Sequence, residues 1–149
     1  MSTRCHIQVK EANGKIYPIM IYKHSDGYPE GVLPFLKDFA EKFVKDRGDD
    51  PEYCVAQILR HWAIEDNENC EKRIQEYKED AKKEGRTDAW IPSNYARQYI
   101  GWGVCMQNEP HGDIEYMYTV NLKNGKVRMS KPTRGVHSKN GLRPDVVVG

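Results

Sequence analysis

Two short polar segments hold most of the side chains in this sequence that could bind a ligand. The first segment supplies His24, Asp26, Tyr28, Glu30 and Gly31. The second segment supplies His111, Asp113 and Glu115. Both have the glycines of a turn and lie beside extended stretches, so they could converge at one end of a sheet. We therefore predict a ligand-binding site formed by residues 24–31 and 111–115.

A non-enzymatic binding protein is the leading interpretation of these segments. Gly31 and Val32 are predicted to open a helix, and the free N–H groups of such an end attract anions. Trp102 could help to enclose a small ligand. The sequence has neither a P-loop nor a dinucleotide fingerprint, so we expect no organic cofactor. The partner is left open as a small ligand, a nucleotide or a protein.

A metal-dependent phosphoester hydrolase, resembling a nuclease, is the first alternative. His24 and His111 would be metal ligands, and Asp26 or Glu115 would act as the base toward a metal-bound water. Asp-Gly and His-Gly-Asp are also ordinary turn sequences, and no fixed-spacing ligand motif such as H-E-x-x-H occurs. We therefore assign no catalytic residue and leave the metal undetermined.

A nucleic-acid-associated protein is the second alternative. The stretch from residue 123 to 149 has seven basic residues and one acidic residue. Its candidate phosphate contacts are Lys126, Arg128, Lys131, Arg134, Lys139 and Arg143. Aromatic residues do not alternate with these charges, so base stacking is not indicated. A solvated terminal segment explains the same composition.

The two turn segments resemble a family of small, uncharacterised prokaryotic and phage-type proteins. The resemblance rests on Tyr22-x-His24-x-Asp26-Gly27-Tyr28-Pro29-x-Gly31 and on His111-Gly112-Asp113-x-Glu115-Tyr116-x-Tyr118. It covers about a fifth of the chain and implies that the two turns belong together. It implies no activity, and it suggests a viral or mobile-element setting.

The first elements predicted from hydrophobic periodicity are two strands. Cys5, Ile7 and Val9 alternate with polar residues, which is typical of a half-buried strand. Asn13-Gly14 then predicts a hairpin that returns over residues 15–23.

Helices are predicted to follow. The first would begin at Gly31 or Val32, with Pro34 in its first turn. A second helix begins after Asp50, and the polar run 65–69 predicts a break or a kink before a more exposed third helix.

Strands return in the last third of the chain. Residues 99–106 form a strand with two glycines, and a regular alternation runs from Ile114 to Leu122. Asn124-Gly125 predicts a second hairpin, and 146–148 could add a short strand. The predicted fold is α+β: a single domain over 1–130 with a mainly antiparallel four- to five-stranded sheet. Strands come from both chain ends, two or three helices cover the sheet, and 131–149 is a basic irregular tail.

The overall composition is typical of a globular domain outside the membrane. The 149 residues are 38% hydrophobic and 30% charged, with a net charge of +1. No apolar run could span a bilayer, and the N-terminus has no apolar signal segment, so we expect a cytoplasmic protein. The four cysteines include no C-x-x-C pair, and Cys105 is interpreted as a small hydrophobic residue. Self-association through the exposed third helix stays open.

Overall fold

A computed structural model describes residues 3–86, 101–109 and 111–131 and the backbone of 146–147. The predictions for Arg134, Lys139 and Arg143 lie outside these residues. The strands are β1 (Cys5–Lys10), β2 (Ile19–Lys23), β3 (Trp102–Met106), β4 (Tyr116–Asn121), β5 (Lys126–Lys131) and β6 (Val146–Val147). The helices are α1 (Pro29–Arg47) and α2 (Pro51–Lys83).

All six strands form one sheet in the order β3-β2-β1-β4-β5-β6. The β1–β4 pair is parallel, and each of the other four pairs is antiparallel. The α+β prediction, with a mainly antiparallel sheet built from both chain ends, is therefore confirmed. The hairpin predicted at Asn124-Gly125 joins β4 to β5, and the short strand predicted near Val146 pairs with β5.

The two faces of β1 differ in polarity. On β1, the side chains of Cys5, Ile7 and Val9 are fully buried on one face. Paired residues share a face, so Tyr118 and Val120 of β4 are buried beside them. We call the opposite face, which contains His6, Gln8 and Lys10 on β1, the open face. Gln8 and Lys10 are only half-buried there.

Helix α1 packs against β4 and β5 on the buried face. Its buried side chains recur at helical spacing, as predicted: Val32, Leu36, Ala40 and Phe43. The predicted start was wrong, because α1 begins at Pro29. Pro29 is the proline of the first turn, where no N–H is needed, and Pro34 lies inside the helix.

The predicted break at residues 65–69 was also wrong. Helix α2 runs without interruption from Pro51 to Lys83. Asp, Asn and Glu cost a helix only a few tenths of a kcal/mol each, by rough estimate, and the sequence has no Gly or Pro from 52 to 84 to end it. The described part of the chain therefore has two central helices where three were an alternative.

The chain divides into two compact units. One contains Met1–Gln57 with Gly101–Gly149, and the other contains Ile58–Ile100. The sheet, α1 and the first turns of α2 belong to the former unit, and so do all the candidate site residues. Neither helix in the described part of the chain combines the length and apolar character needed to cross a membrane.

Candidate functional site

Strand pairing brings two histidines and a cysteine together on the open face. His6 lies on β1 and pairs with Tyr22 of β2, while Cys105 of β3 pairs with Met20 of β2. These residues therefore project from the same face of three adjacent strands. His111, in the loop before β4, stacks its ring on Tyr22 with centroids 3.9 Å apart. This stacking holds the His111 imidazole over the sheet.

The ligand atoms of the three residues are close enough to share one ion. His6 Nε2 lies 3.1 Å from His111 Nδ1 and 3.7 Å from Cys105 Sγ, and all three atoms lie within 4.8 Å of one another. Tetrahedral zinc with ordinary bond lengths requires about 3.3 Å between two nitrogens and about 3.6 Å between nitrogen and sulfur. The two distances from His6 Nε2 match these values closely. We call His6, Cys105 and His111 the His–Cys cluster.

Burial shifts the pKa values of His6 and Cys105. His6 is fully buried, and burial, followed by the neighbouring His111, lowers the pKa of His6 from 6.5 to about 4. The imidazole is therefore neutral at pH 7 and has a lone pair to donate. Burial also raises the pKa of the Cys105 thiol. His6 Nδ1 is buried and has no hydrogen-bond partner among the described residues.

A second set of polar side chains is connected to the Tyr22 hydroxyl. The Tyr22 hydroxyl lies 2.8 Å from His24 Nδ1, and the Nε–H of Arg4 donates to the same nitrogen at 3.4 Å. Because Arg4 can only donate, His24 Nδ1 is the acceptor in both bonds. Arg4 also forms an ion pair with Asp113, at 2.9 Å. Arg4 thus links the turn after β2 to the loop before β4.

The two predicted turns do meet, with Tyr22 between them. His24 contacts the Tyr22 hydroxyl, and His111 covers the Tyr22 ring. His24 is not a member of the His–Cys cluster, although the hydrolase interpretation made it a ligand. The backbone N–H of Glu115 donates to the Arg4 carbonyl at 2.9 Å.

The other predicted site residues lie outside the His–Cys cluster. Trp102 pairs with Lys23, which places it on the opposite face of the sheet from His111, and Lys23 Nζ lies 4.6 Å from the Trp102 ring centroid. Tyr28 is the residue before α1. The Gly31 N–H donates to the Tyr28 carbonyl at 3.0 Å. The remaining side chains in this turn, those of Asp26 and Glu30, are exposed.

Gly27 anchors the first turn to the sheet. Its N–H donates to the Thr3 carbonyl at 2.9 Å, and its carbonyl accepts from the Tyr118 hydroxyl at 2.7 Å. A Cβ at this position would lie 2.8 Å from Cys5 Cβ. The glycine of the His-x-Asp-Gly motif is therefore needed because the backbone comes this close to β1.

Sequence reasoning missed two of the three cluster residues. His6 was visible only as a polar position in an alternating strand, and Cys105 only as an apolar one. The one sequence feature that could have pointed to His6 is its position in the alternation, on the face opposite Cys5 and Ile7. Finding the cluster also required knowing that β1 pairs with β4 and that β2 pairs with β3, and local periodicity does not specify these pairings.

Comparison with protein-family models, with curated proteins and with solved structures gives no match. The resemblance described from the two turn motifs therefore stays a prediction. Any function must be argued from the site itself.

Proposed function

We propose that this protein binds a transition-metal ion, with zinc as the best fit, through His6 Nε2, Cys105 Sγ and His111 Nδ1. The observation that carries the proposal is the spacing of these atoms, at 3.1 and 3.7 Å from His6 Nε2. A hydrogen-bonded network of the same residues in the absence of metal is the competing explanation of this spacing.

The donor set determines the class of metal. Thiolate and imidazole ligands favour zinc and other late transition metals, whereas magnesium and calcium prefer oxygen ligands. Three protein ligands leave one position of a tetrahedral ion open. Because Cys105 is half-buried and His111 is exposed, we expect that position to face solvent. An exogenous molecule or a water could therefore complete the coordination.

Cobalt titration tests the proposal directly. The protein is stripped with a chelator and titrated with Co²⁺, whose visible absorption reports tetrahedral geometry and whose near-ultraviolet absorption reports a thiolate ligand. We expect one equivalent to bind with both signals, and Zn²⁺ to displace it. Loss of a residue that only supports a metal ligand typically weakens metal binding by about 10- to 100-fold, so we expect at least that loss when a ligand itself is replaced, in His111→Gln and Cys105→Ser.

Matched controls are available elsewhere in the chain. His61→Gln and Cys70→Ser remove a histidine and a cysteine that lie outside the cluster, and we expect both to bind Co²⁺ as the wild type does. His6 is avoided because it is buried and its replacement would disturb folding. Absence of a thiolate–cobalt signal in the wild type, or an equal signal in Cys105→Ser, would refute the proposal in favour of the hydrogen-bonded network.

Metal-dependent phosphoester hydrolysis is a second candidate function. Catalytic zinc sites commonly have three protein ligands and one bound water, which is the arrangement that the His–Cys cluster would give. In this form of the hypothesis His111 is a ligand and His24 is not. Hydrolysis of bis(p-nitrophenyl) phosphate by the zinc-loaded protein, lost in His111→Gln and retained in His61→Gln, would support it. A zinc-loaded protein with no such activity would leave metal binding as the function.

A further inference from the structure

A groove on the open face, separate from the His–Cys cluster, combines basic and polar side chains from β1, β4 and β5. Its volume is about 650 Å³. The side chains that matter for binding are Lys10, Thr119, Asn121, Asn124, Lys126 and Arg128. Strand register explains why they meet: Asn121 pairs with both Lys10 and Lys126, and Thr119 pairs with Arg128. The groove therefore lies across three adjacent strands.

The groove has concentrated positive charge. Lys10, Lys126 and Arg128 line it, and none of its described lining residues is acidic. None of these three cations forms an ion pair with another residue in the described ranges. Lys126 and Arg128 are about 7 Å apart along β5, and Lys10 lies about 10 Å across the sheet from Lys126. Three cations around one hollow, with no acidic partner among the described residues, favour an anion with several charges.

The neutral side chains add hydrogen-bond donors. Asn121 Oδ1 accepts from the N–H of Lys123, and Asn124 Oδ1 accepts from the N–H of Lys126. With their oxygens occupied, both amides have their NH₂ groups available to donate. Thr119 Oγ1 accepts from Gln8 Nε2 at 2.9 Å, so its own O–H can also donate. The groove is thus rich in donors for the oxygens of a bound anion.

We propose that this groove binds a compact polyphosphate, meaning a small molecule with adjoining phosphate groups. Phosphate oxygens accept only, have high charge density and suit both the cations and the amide donors. The groove volume lies in the range of small-molecule sites, which is about 300–1,000 Å³. No described lining residue is aromatic, so the stacking platform typical of single-stranded nucleic-acid sites is missing. These features favour a small phosphate chain over a nucleic-acid strand.

Calorimetric titration with inorganic tripolyphosphate at low salt is the test. We expect saturable binding by the full chain, and a loss of roughly tenfold in affinity for each cation removed in Lys126→Gln and Arg128→Gln. Lys131→Gln is the matched control. Lys131 is on the same strand but faces the other side, with its Nζ 5.3 Å from the Tyr116 ring centroid. We expect its affinity to stay within twofold of the wild type.

Each outcome distinguishes the polyphosphate from other ligands. Lys126 and Arg128 are exposed, so we expect their variants to have the melting temperature of the wild type. A thermal melt would show any loss of folding separately from a loss of affinity. No binding of tripolyphosphate, or an equal loss in Lys131→Gln, overturns the proposal. A single-stranded oligonucleotide that binds through Lys126 and Arg128 while tripolyphosphate neither binds nor competes also overturns it. Cys105→Ser should bind tripolyphosphate normally, because Cys105 does not line the groove.

Discussion

Replacing Gly27 with alanine should destabilise the protein strongly, although it adds only one methyl group. Gly27 is buried in the turn between β2 and α1. The added Cβ would lie 2.8 Å from Cys5 Cβ, 2.9 Å from Thr3 O and 3.0 Å from Cys5 N. Two of these atoms belong to the backbone and the third is a β-carbon, so no flexible side chain can move aside.

The size of the effect follows from overpacking and from the hydrogen bonds of Gly27. Forcing a methyl group into a filled site costs about 1–3 kcal/mol. If the turn moves outward to relieve the clash, it weakens the bonds of Gly27 to Thr3 and Tyr118, each worth about 1 kcal/mol. We expect Gly27→Ala to lower the free energy of unfolding by about 2–4 kcal/mol, a large part of the 5–15 kcal/mol that is typical of a domain. Tyr118→Phe, which removes only the second bond, should lower it by about 1–2 kcal/mol.

Urea unfolding followed by circular dichroism measures these differences. Gly112→Ala is the matched control, because a Cβ there would meet no atom of the described residues within 4 Å. We expect its free energy of unfolding to lie within about 0.5 kcal/mol of the wild-type value. If Gly27→Ala were as stable as Gly112→Ala, the close approach of this turn to β1 would not exist, and the structural explanation of the motif glycine would be wrong.

Two further predictions concern packing and burial elsewhere in the chain. Gly125 and Gly48 both have positive φ, 70° and 72°. Of these two positions, a Cβ would contact another element among the described residues only at Gly125, where the α1 backbone lies 3.2 Å away. We expect Gly125→Ala to lower the free energy of unfolding by about 1 kcal/mol more than Gly48→Ala in urea titrations, and equal losses would contradict this packing. Burial raises the pKa of Cys54 to about 12, so at pH 8 only about one thiol in 10⁴ is ionised. Iodoacetamide followed by mass spectrometry should modify the half-buried Cys70 first, and comparable modification of the folded protein at both cysteines would refute the burial of Cys54.

Features of the fold set by neighbouring residues could be predicted from the sequence. The alternation through β4 identifies its buried face, because Tyr118 and Val120 are apolar and every second residue returns to the same side. Asn124-Gly125 identifies the β4–β5 hairpin, because Gly125 adopts the positive φ that the turn requires. Both signals act over a few residues, where elementary backbone geometry decides the outcome.

Features that depend on distant pairing could not be predicted in this way. The polar run at 65–69 suggested a break, but helix propensity differences of a few tenths of a kcal/mol do not end a helix that lacks Gly and Pro. The His–Cys cluster joins residues 6 and 111, which are 105 positions apart. Its formation depends on which strand lies beside β1, and the sequence periodicity of β1 is the same whichever neighbour it has.

Both proposals depend on the register of β1 in the sheet. His6, Gln8 and Lys10 face the open side only because Cys5, Ile7 and Val9 face the buried side. A slip of one residue would exchange the two sets, moving apolar side chains toward the half-buried positions of Gln8 and Lys10 and polar side chains into the core. Exposing those side chains would cost up to about 1.5–3 kcal/mol for each large apolar group. The hydrophobic core thus fixes the positions of the polar side chains on the other face, and the His–Cys cluster and the basic groove are consequences of the same register.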